Sequence, residues 1–334
     1  MKAPKVSVII PNYNHEKFLE ERIESILNQS YQDFEIIFLD DFSTDDSLLI
    51  LDKYKEHPKV SHYIINLENS GSLFKQWIKG IELARGNFIW IAESDDTADK
   101  NFLNKTVELA EQSQDFGLVF VKSIEIDSKS NPTGKILAPL QLYSGDYIHG
   151  VESVSECLVK QMLISNVSGV LFNAEKLKNI DYLKLKTFQN TGDRFTYIQI
   201  ALQSRAYYLD LPLNTYRNHD NNTTKLNVAN HRIYNDRYKI VKELLPVFNN
   251  NEIALKNLFT FYIKNIFIFF RIVNFLSNTK TLNRFKRSCE FISKTNYVQL
   301  QFLLLFVKLF RSRLPLKIRK YYKKSFITEY GIKI

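Results

Sequence analysis

Two short acidic runs each close an apolar stretch. Asp40 and Asp41 follow FEIIFL, and Glu93, Ser94, Asp95 and Asp96 follow NFIWIA. Later in the chain, Asp193 stands in TGDRF, and Arg217 and His219 stand in YRNHD. Carboxylates crowded into one crevice either raise one another's proton affinity or share a cation. A hard divalent ion, Mg²⁺ or Mn²⁺, suits oxygen ligands and could bridge them to a diphosphate. Other ways of holding phosphate are missing. The first glycine is Gly71, so neither a P-loop nor the glycine fingerprint of dinucleotide enzymes can follow the first strand.

The segments that must position these residues alternate in pattern. Val6–Ile10, Phe34–Leu39, Val60–Ile65 and Asn87–Ala92 read as buried strands. Helical spacing runs over Phe18–Leu27 and Leu73–Leu83, and a further helix is expected from Asp45, capped by Ser43. Such alternation predicts an α/β fold, with a mixed, mostly parallel sheet and helices on both faces. Ligands of such sheets bind beyond the carboxyl ends of the strands. That edge collects Pro11, Asn12, Tyr13 and Asn14, then Asp40–Asp41, then Asn69–Gly71, then Glu93–Asp96.

Further strands are expected at Gly117–Val121, Val167–Phe172 and Ala206–Leu209, with a helix over Phe195–Gln203. Past residue 230 helical patterns dominate. Asp45 and Asp46 read as helix-start acids. His15, His57, His62 and His149 read as structural, and Asp181 stays open as an alternative to Asp193.

The net charge of +9 hides a split. Residues 231–334 hold 21 Lys and Arg against 5 Asp and Glu, whereas the remainder is net acidic. The two cysteines, Cys157 and Cys289, form no metal-binding pair or disulfide framework. MKAPKVSVIIPNYN lacks the zones of a signal peptide, so export is not expected. Leu258–Leu276 is apolar but broken by Lys264 and Arg271, which argues against a spanning helix. Lys308–Lys324 reads as a basic amphipathic segment lying on an anionic membrane rather than on nucleic acid.

VSVIIPNYN, FLDDFSTDDS and IAESDD resemble, in order and spacing, the nucleotide-binding half of family 2 inverting glycosyltransferases of the GT-A fold. SNVSGVLFN, TGDRF and PLNTYRNHDNNTT extend the likeness to about residue 225. The resemblance implies a GT-A domain over 1–228, with a nucleotide-binding half (1–100) and an acceptor half (101–228). A basic helical region would follow over 229–334. It implies Pro11, Tyr13, Asp40, Asp41, Gly71, Asp95 and Arg217 for the nucleotide sugar, Asp96 and His219 for the Mn²⁺ or Mg²⁺, and Asp193 as catalytic base. Glu93 stands where the family has its first aspartate.

The activity implied is metal-dependent, inverting transfer from a UDP-sugar to an acceptor hydroxyl, on a glycan or lipid-linked glycan of a surface polysaccharide. The expected place is the cytoplasmic face of the cell membrane. A sugar-1-phosphate nucleotidyltransferase and a non-catalytic scaffold of the same fold are the alternatives, and the first lacks its glycine-rich loop here.

Overall fold

The computed structural model describes residues 3–219, 232–258 and 260–262. The chain divides into two compact units between Ile240 and Val241, and the site lies in the first. The expected boundary at 228 falls outside the described residues, as do Cys289, Lys308–Lys324 and most of Leu258–Leu276. Among the described residues no helix is long and apolar enough to cross a membrane.

The strands are β1 (Val6–Asn12), β2 (Phe34–Asp40), β3 (Val60–Ile65), β4 (Phe88–Ile91), β5 (Thr97–Ala98), β6 (Phe116–Ile126), β7 (Pro132–Leu137), β8 (Tyr147–Ile148), β9 (Val170–Asn173) and β10 (Arg205–Arg217). The helices of the first two hundred residues are α1 (Glu16–Leu27), α2 (Ser47–Tyr54), α3 (Leu73–Leu83), α4 (Phe102–Gln112), α5 (Gly150–Val154), α6 (Ala174–Lys178), α7 (Tyr182–Leu185) and α8 (Gly192–Gln203). The sheet runs β3-β2-β1-β4-β9-β6-β10-β5. The β1–β2, β1–β4, β2–β3 and β6–β10 ladders are parallel, and β9 runs antiparallel between β4 and β6. The chain moves outward from β1 to β3 and returns to the other side of β1 with β4. The crevice between the ends of β1 and β4 is therefore a topological switch point, where ligands of open sheets bind.

Every residue of β1, β2 and β4 is buried, which explains their continuous apolar character. Val6, Val8 and Ile10 of β1, with Phe34, Ile36 and Phe38 of β2, pack on one face with residues of α1, α2 and α4. On the other face α3 approaches so closely that a Cβ at Gly80 would lie 2.4 Å from Ile9 Cγ2. Within β2, Glu35 accepts from Ser7 Oγ at 2.7 Å and from Arg85 Nε at 3.0 Å.

Several boundaries differ from the sequence reading. Strand β1 continues through Pro11 to Asn12, which pair with Leu39 and Asp40. Strand β6 reaches Ile126 because its polar residues find partners: Lys122 meets Asp210 at 2.8 Å and Glu125 meets Lys135 at 2.9 Å. Strand β10 resumes beyond an irregularity between Leu209 and Asn214 and delivers Arg217 to the acidic loop. Val167–Gly169 is a single 3₁₀ turn ahead of β9, because the Asn166 side chain accepts from Ser168 N at 2.6 Å. Ser43 does not cap α2, which begins at Ser47. Asp45 Oδ1 instead accepts the Ser47 N–H at 3.1 Å, as a helix-start acid should.

Candidate active site

At the β1–β2 edge, Asp40 is fully enclosed. Its Oδ2 accepts from Asn12 Nδ2 at 2.8 Å and from Ser43 Oγ at 2.6 Å, and its Oδ1 accepts from Ser43 N at 2.8 Å. It splices the two strand ends together. Asp41 gathers the loop after β3: Oδ1 accepts from Asn66 Nδ2, Ser70 N and Gln76 Nε2, and Oδ2 from Ser70 Oγ at 2.8 Å. Gly71 turns that loop at a φ of +69°, which a side chain would strain. Pro11 is buried within β1, whereas Tyr13 is 46% exposed at the mouth of the edge. Phe42 was not singled out from the sequence; it is 47% exposed and held at a φ of 65°.

The acidic loop after β4 sends its three carboxyl groups to different partners. Glu93 accepts from the Trp77 indole N–H at 3.0 Å, and burial pushes its carboxyl well above the usual range. Asp96 accepts the Arg217 N–H at 2.9 Å and the Asn166 amide at 2.9 Å. Burial, reinforced by the charge of Asp95, pushes it to about 6. Asp95 Oδ2 lies 3.1 Å from His219 Nε2. Burial would raise Asp95, but the hydrogen bond to His219 and the charge of His15 outweigh it and hold it below the usual carboxylate value.

His15 completes this group. Its Nδ1 lies 2.8 Å from Ser94 Oγ, and its ring stands at 90° to that of His219 with centroids 5.8 Å apart. One ligand atom each from His15, Asp95 and His219 lie within 4.8 Å of one another. Burial lowers the His15 pKa, against the opposing charge of Asp95. Two imidazoles and one carboxylate fit a divalent transition ion such as Mn²⁺; Mg²⁺ prefers an all-oxygen shell.

The geometry groups Asp95, not Asp96, with His219, while each Asp96 oxygen accepts one hydrogen bond, from Arg217 N and from Asn166 Nδ2. His15, read from the sequence as structural, is the third member. Its signal was its position just past PNYN, on the same strand edge as the acids.

Arg217 is anchored within the protein. Its buried guanidinium donates to Asp95 O at 2.7 Å, Ser130 Oγ at 2.8 Å and Glu21 Oε2 at 2.7 Å, and packs 4.7 Å over the Phe18 ring. It fastens the acidic loop to α1 and the β6–β7 turn. Behind the loop, Arg22 is fully buried 4.9 Å over the Trp90 ring, and its guanidinium nitrogens have no hydrogen-bond partner. Burial lowers it to about 10, so it remains a cation facing Asp96, Asp95 and Glu93.

Asp193 lies in the first turn of α8. Burial pushes its carboxyl to about 6, against the backbone hydrogen bond and charge of Arg194. Helix α8 starts hard against α3, since a Cβ on Gly192 would lie 2.7 Å from the Phe74 ring. The Tyr197 hydroxyl, buried without a hydrogen-bond partner, feels the charges of both Asp193 and Glu93. Asp181, the open alternative, caps α7 by accepting Lys184 N at 2.9 Å. The arrangement thus combines three groups able to hold a divalent ion at the switch point with a half-buried carboxyl whose pKa is raised to about 6.

Residues 7–162 match the description of glycosyl transferase family 2. TuaG of Bacillus subtilis, named as a glycosyltransferase of teichuronic acid biosynthesis, is 27% identical over 75% of this chain and 89% of its own. The GalNAc(5)-diNAcBac-PP-undecaprenol beta-1,3-glucosyltransferase of Campylobacter jejuni is 27% identical over 64% of this chain and 65% of its own. Among solved structures, Staphylococcus aureus TarS in complex with UDP-GlcNAc superimposes with a TM-score of 0.62 at 19% identity, over 86% of this chain and 80% of that one. That likeness establishes the GT-A fold.

Proposed function

We propose that this chain, whose residues 7–162 match glycosyl transferase family 2, moves a sugar from a UDP-sugar to an acceptor hydroxyl of a surface polysaccharide, with inversion. The observation that carries this reading is the convergence of His15, Asp95 and His219 at the carboxyl edge of the sheet, where no glycine loop offers a phosphate cradle. A divalent ion held there would offset the charge that develops on the departing diphosphate, worth roughly several kcal/mol in such sites. Asp95, His15 and His219 are its proposed holders, in place of the pair Asp96 and His219.

Tyr13 and Pro11 would line the base pocket, with Asp41 and Gly71 shaping its floor and Asp40 fixing the strand ends. Arg217 would act by holding the acidic loop. Asp193 would take the proton from the acceptor hydroxyl as that oxygen attacks the anomeric carbon from the face opposite the nucleotide. Its proton affinity supports that role, because a base is most effective when its pKa lies close to the working pH. A single displacement of this kind inverts the anomeric centre and needs no covalent enzyme intermediate.

A lipid-linked glycan is the proposed acceptor, a reading supported by the undecaprenol-linked substrate in the name of the Campylobacter relative. The basic excess of residues 231–334 supports a place on the inner face of the cell membrane for a chain divided into catalytic residues 1–228 and a tail from 229.

The test incubates the purified full chain with Mn²⁺ or Mg²⁺ and a panel of UDP-, GDP-, CDP- and dTDP-sugars, scoring nucleoside diphosphate release. One UDP-sugar should be hydrolysed slowly, faster with Mn²⁺, and not by Asp95→Ala. Silence across the panel, with no Mn²⁺ binding by the wild-type chain, would end this reading.

A further inference from the structure

The helix Arg232–Phe248 starts beyond the boundary at which the sequence separates a catalytic body from a tail. Asp236, in its first two turns, is 1% exposed. Its Oδ2 accepts three consecutive backbone N–H groups, those of Gln189 at 2.8 Å, Asn190 at 2.6 Å and Thr191 at 3.1 Å. Its Oδ1 meets Lys239 Nζ at 3.0 Å. Lys239 also donates to Thr187 O and lies 5.1 Å over the Phe188 ring, which stacks on Phe195 of α8 with centroids 4.9 Å apart. The three amides belong to the residues leading directly into α8, where Thr191 is the N-cap and Asp193 stands in the first turn.

We infer that Asp236 is a positioning residue for Asp193: its carboxylate moulds residues 189–191 into the lead-in that sets the direction of α8. This assignment deepens the reading of Asp193 as the catalytic base and rests on it for its functional meaning. A surface aspartate satisfying one loose amide would be local decoration. Three short bonds converging on one buried oxygen fix the path of a whole tripeptide, because each N–H left unpaired inside the protein would carry a desolvation cost. The N-cap residue Thr191 makes no side-chain capping bond of its own.

The charges around Asp193 give the signs. Burial dominates its raised pKa, Arg194 of the same helix opposes it, and Asp236 reinforces it. Tyr197 of the same helix faces Asp193 and also Glu93 of the acidic loop. Lys239 partly compensates Asp236. Neutralising Asp236 must therefore lower the proton affinity of Asp193, and removing Lys239 must raise it. A role confined to packing would not give opposite signs.

The experiment uses the full chain without any substrate. Hydrogen exchange of the peptide covering residues 187–193, and NMR titration of the Asp193 carboxyl with Asp193→Asn as the assignment control, are measured in wild type, Asp236→Asn and Lys239→Met. Asp236→Asn should speed exchange of the three amides at least about tenfold and lower the Asp193 midpoint, while Lys239→Met should raise that midpoint. Unchanged exchange in Asp236→Asn, or midpoints that do not move in opposite directions, would overturn the assignment. If Asp236→Asn does not fold, the rise or its absence in Lys239→Met decides. Because neither readout needs a sugar donor, positioning by Asp236 can fail while the base role of Asp193 stands. Loss of the base role would show separately, as full transfer activity in Asp193→Asn.

Discussion

Asp95 and Asp96 are adjacent in sequence yet serve different partners. Asp95 Oδ2 lies 3.1 Å from His219 Nε2, while Asp96 Oδ1 accepts the backbone N–H of Arg217 at 2.9 Å. One carboxylate faces the proposed cation site; the other ties β10 to the acidic loop.

This division predicts opposite phenotypes. Asp95→Asn and His15→Ala should each weaken Mn²⁺ binding by at least about 10–100-fold and leave the unfolding midpoint in metal-free buffer nearly unchanged. Asp96→Asn should instead lower stability, by roughly 1–3 kcal/mol, because buried donors lose a charged acceptor. Mn²⁺ titration followed by electron paramagnetic resonance, paired with urea denaturation, separates the two. Loss of Mn²⁺ binding in Asp96→Asn with retention in Asp95→Asn would reverse the assignment.

The pH behaviour of Asp193 follows from its raised pKa of about 6. As a base it must be ionised, so transfer should fall as pH drops through about 6, and Asp193→Asn should lose roughly 10²–10⁴ in rate. The stability sign is the reverse of the usual carboxylate case. Between the ordinary carboxyl value of 3.8 and about 6 the folded chain holds a proton that the unfolded chain has released. Stability therefore declines as pH rises through this window and stays reduced above it. Asp193→Asn should be more stable than wild type at pH 7.5 by about 1–2 kcal/mol, allowing for partial exposure, with the gap closing near pH 4. Thermal denaturation at both pH values checks this.

Arg217→Lys keeps the charge but not the fork that reaches Asp95 O, Ser130 and Glu21 together. A single ammonium cannot serve those directions. Unfolding measurements should show a loss of about 2 kcal/mol or more, since a buried charge is left imperfectly paired. Mn²⁺ affinity should fall as well, because the acidic loop loses its brace.

Gly192→Ala should damage activity through packing alone. The new Cβ would lie 2.7 Å from the buried Phe74 ring, and overpacking of this kind costs roughly 1–3 kcal/mol. Since α8 carries Asp193 in its first turn, kcat should fall with little change in Mn²⁺ affinity. Adding Phe74→Leu should recover part of both stability and rate; no recovery would place the damage elsewhere.

Much of the fold is legible in the chain itself. Strands such as Phe34–Asp40 are continuous apolar runs because both their faces are covered, and Leu73–Leu83 shows its helical period unmistakably. The extended ends of β6 and β10 were not legible. Their polar residues look like loop until Lys122 meets Asp210 and Asn214 meets Ser123 at 2.9 Å across the sheet.

The primary structure on its own determined the parallel sheet, the collection of acids at one strand edge and the absence of a glycine cradle, because periodicity and residue type are local properties. Which acid stands beside His219, why His15 joins them and how Asp236 reaches the loop before Asp193 were decided only by the tertiary structure. Hydrogen bonds spanning 45 to 124 positions set those orientations. A side chain's direction depends on which distant donor arrives first at its oxygens, and no pattern of neighbouring residues encodes that arrival.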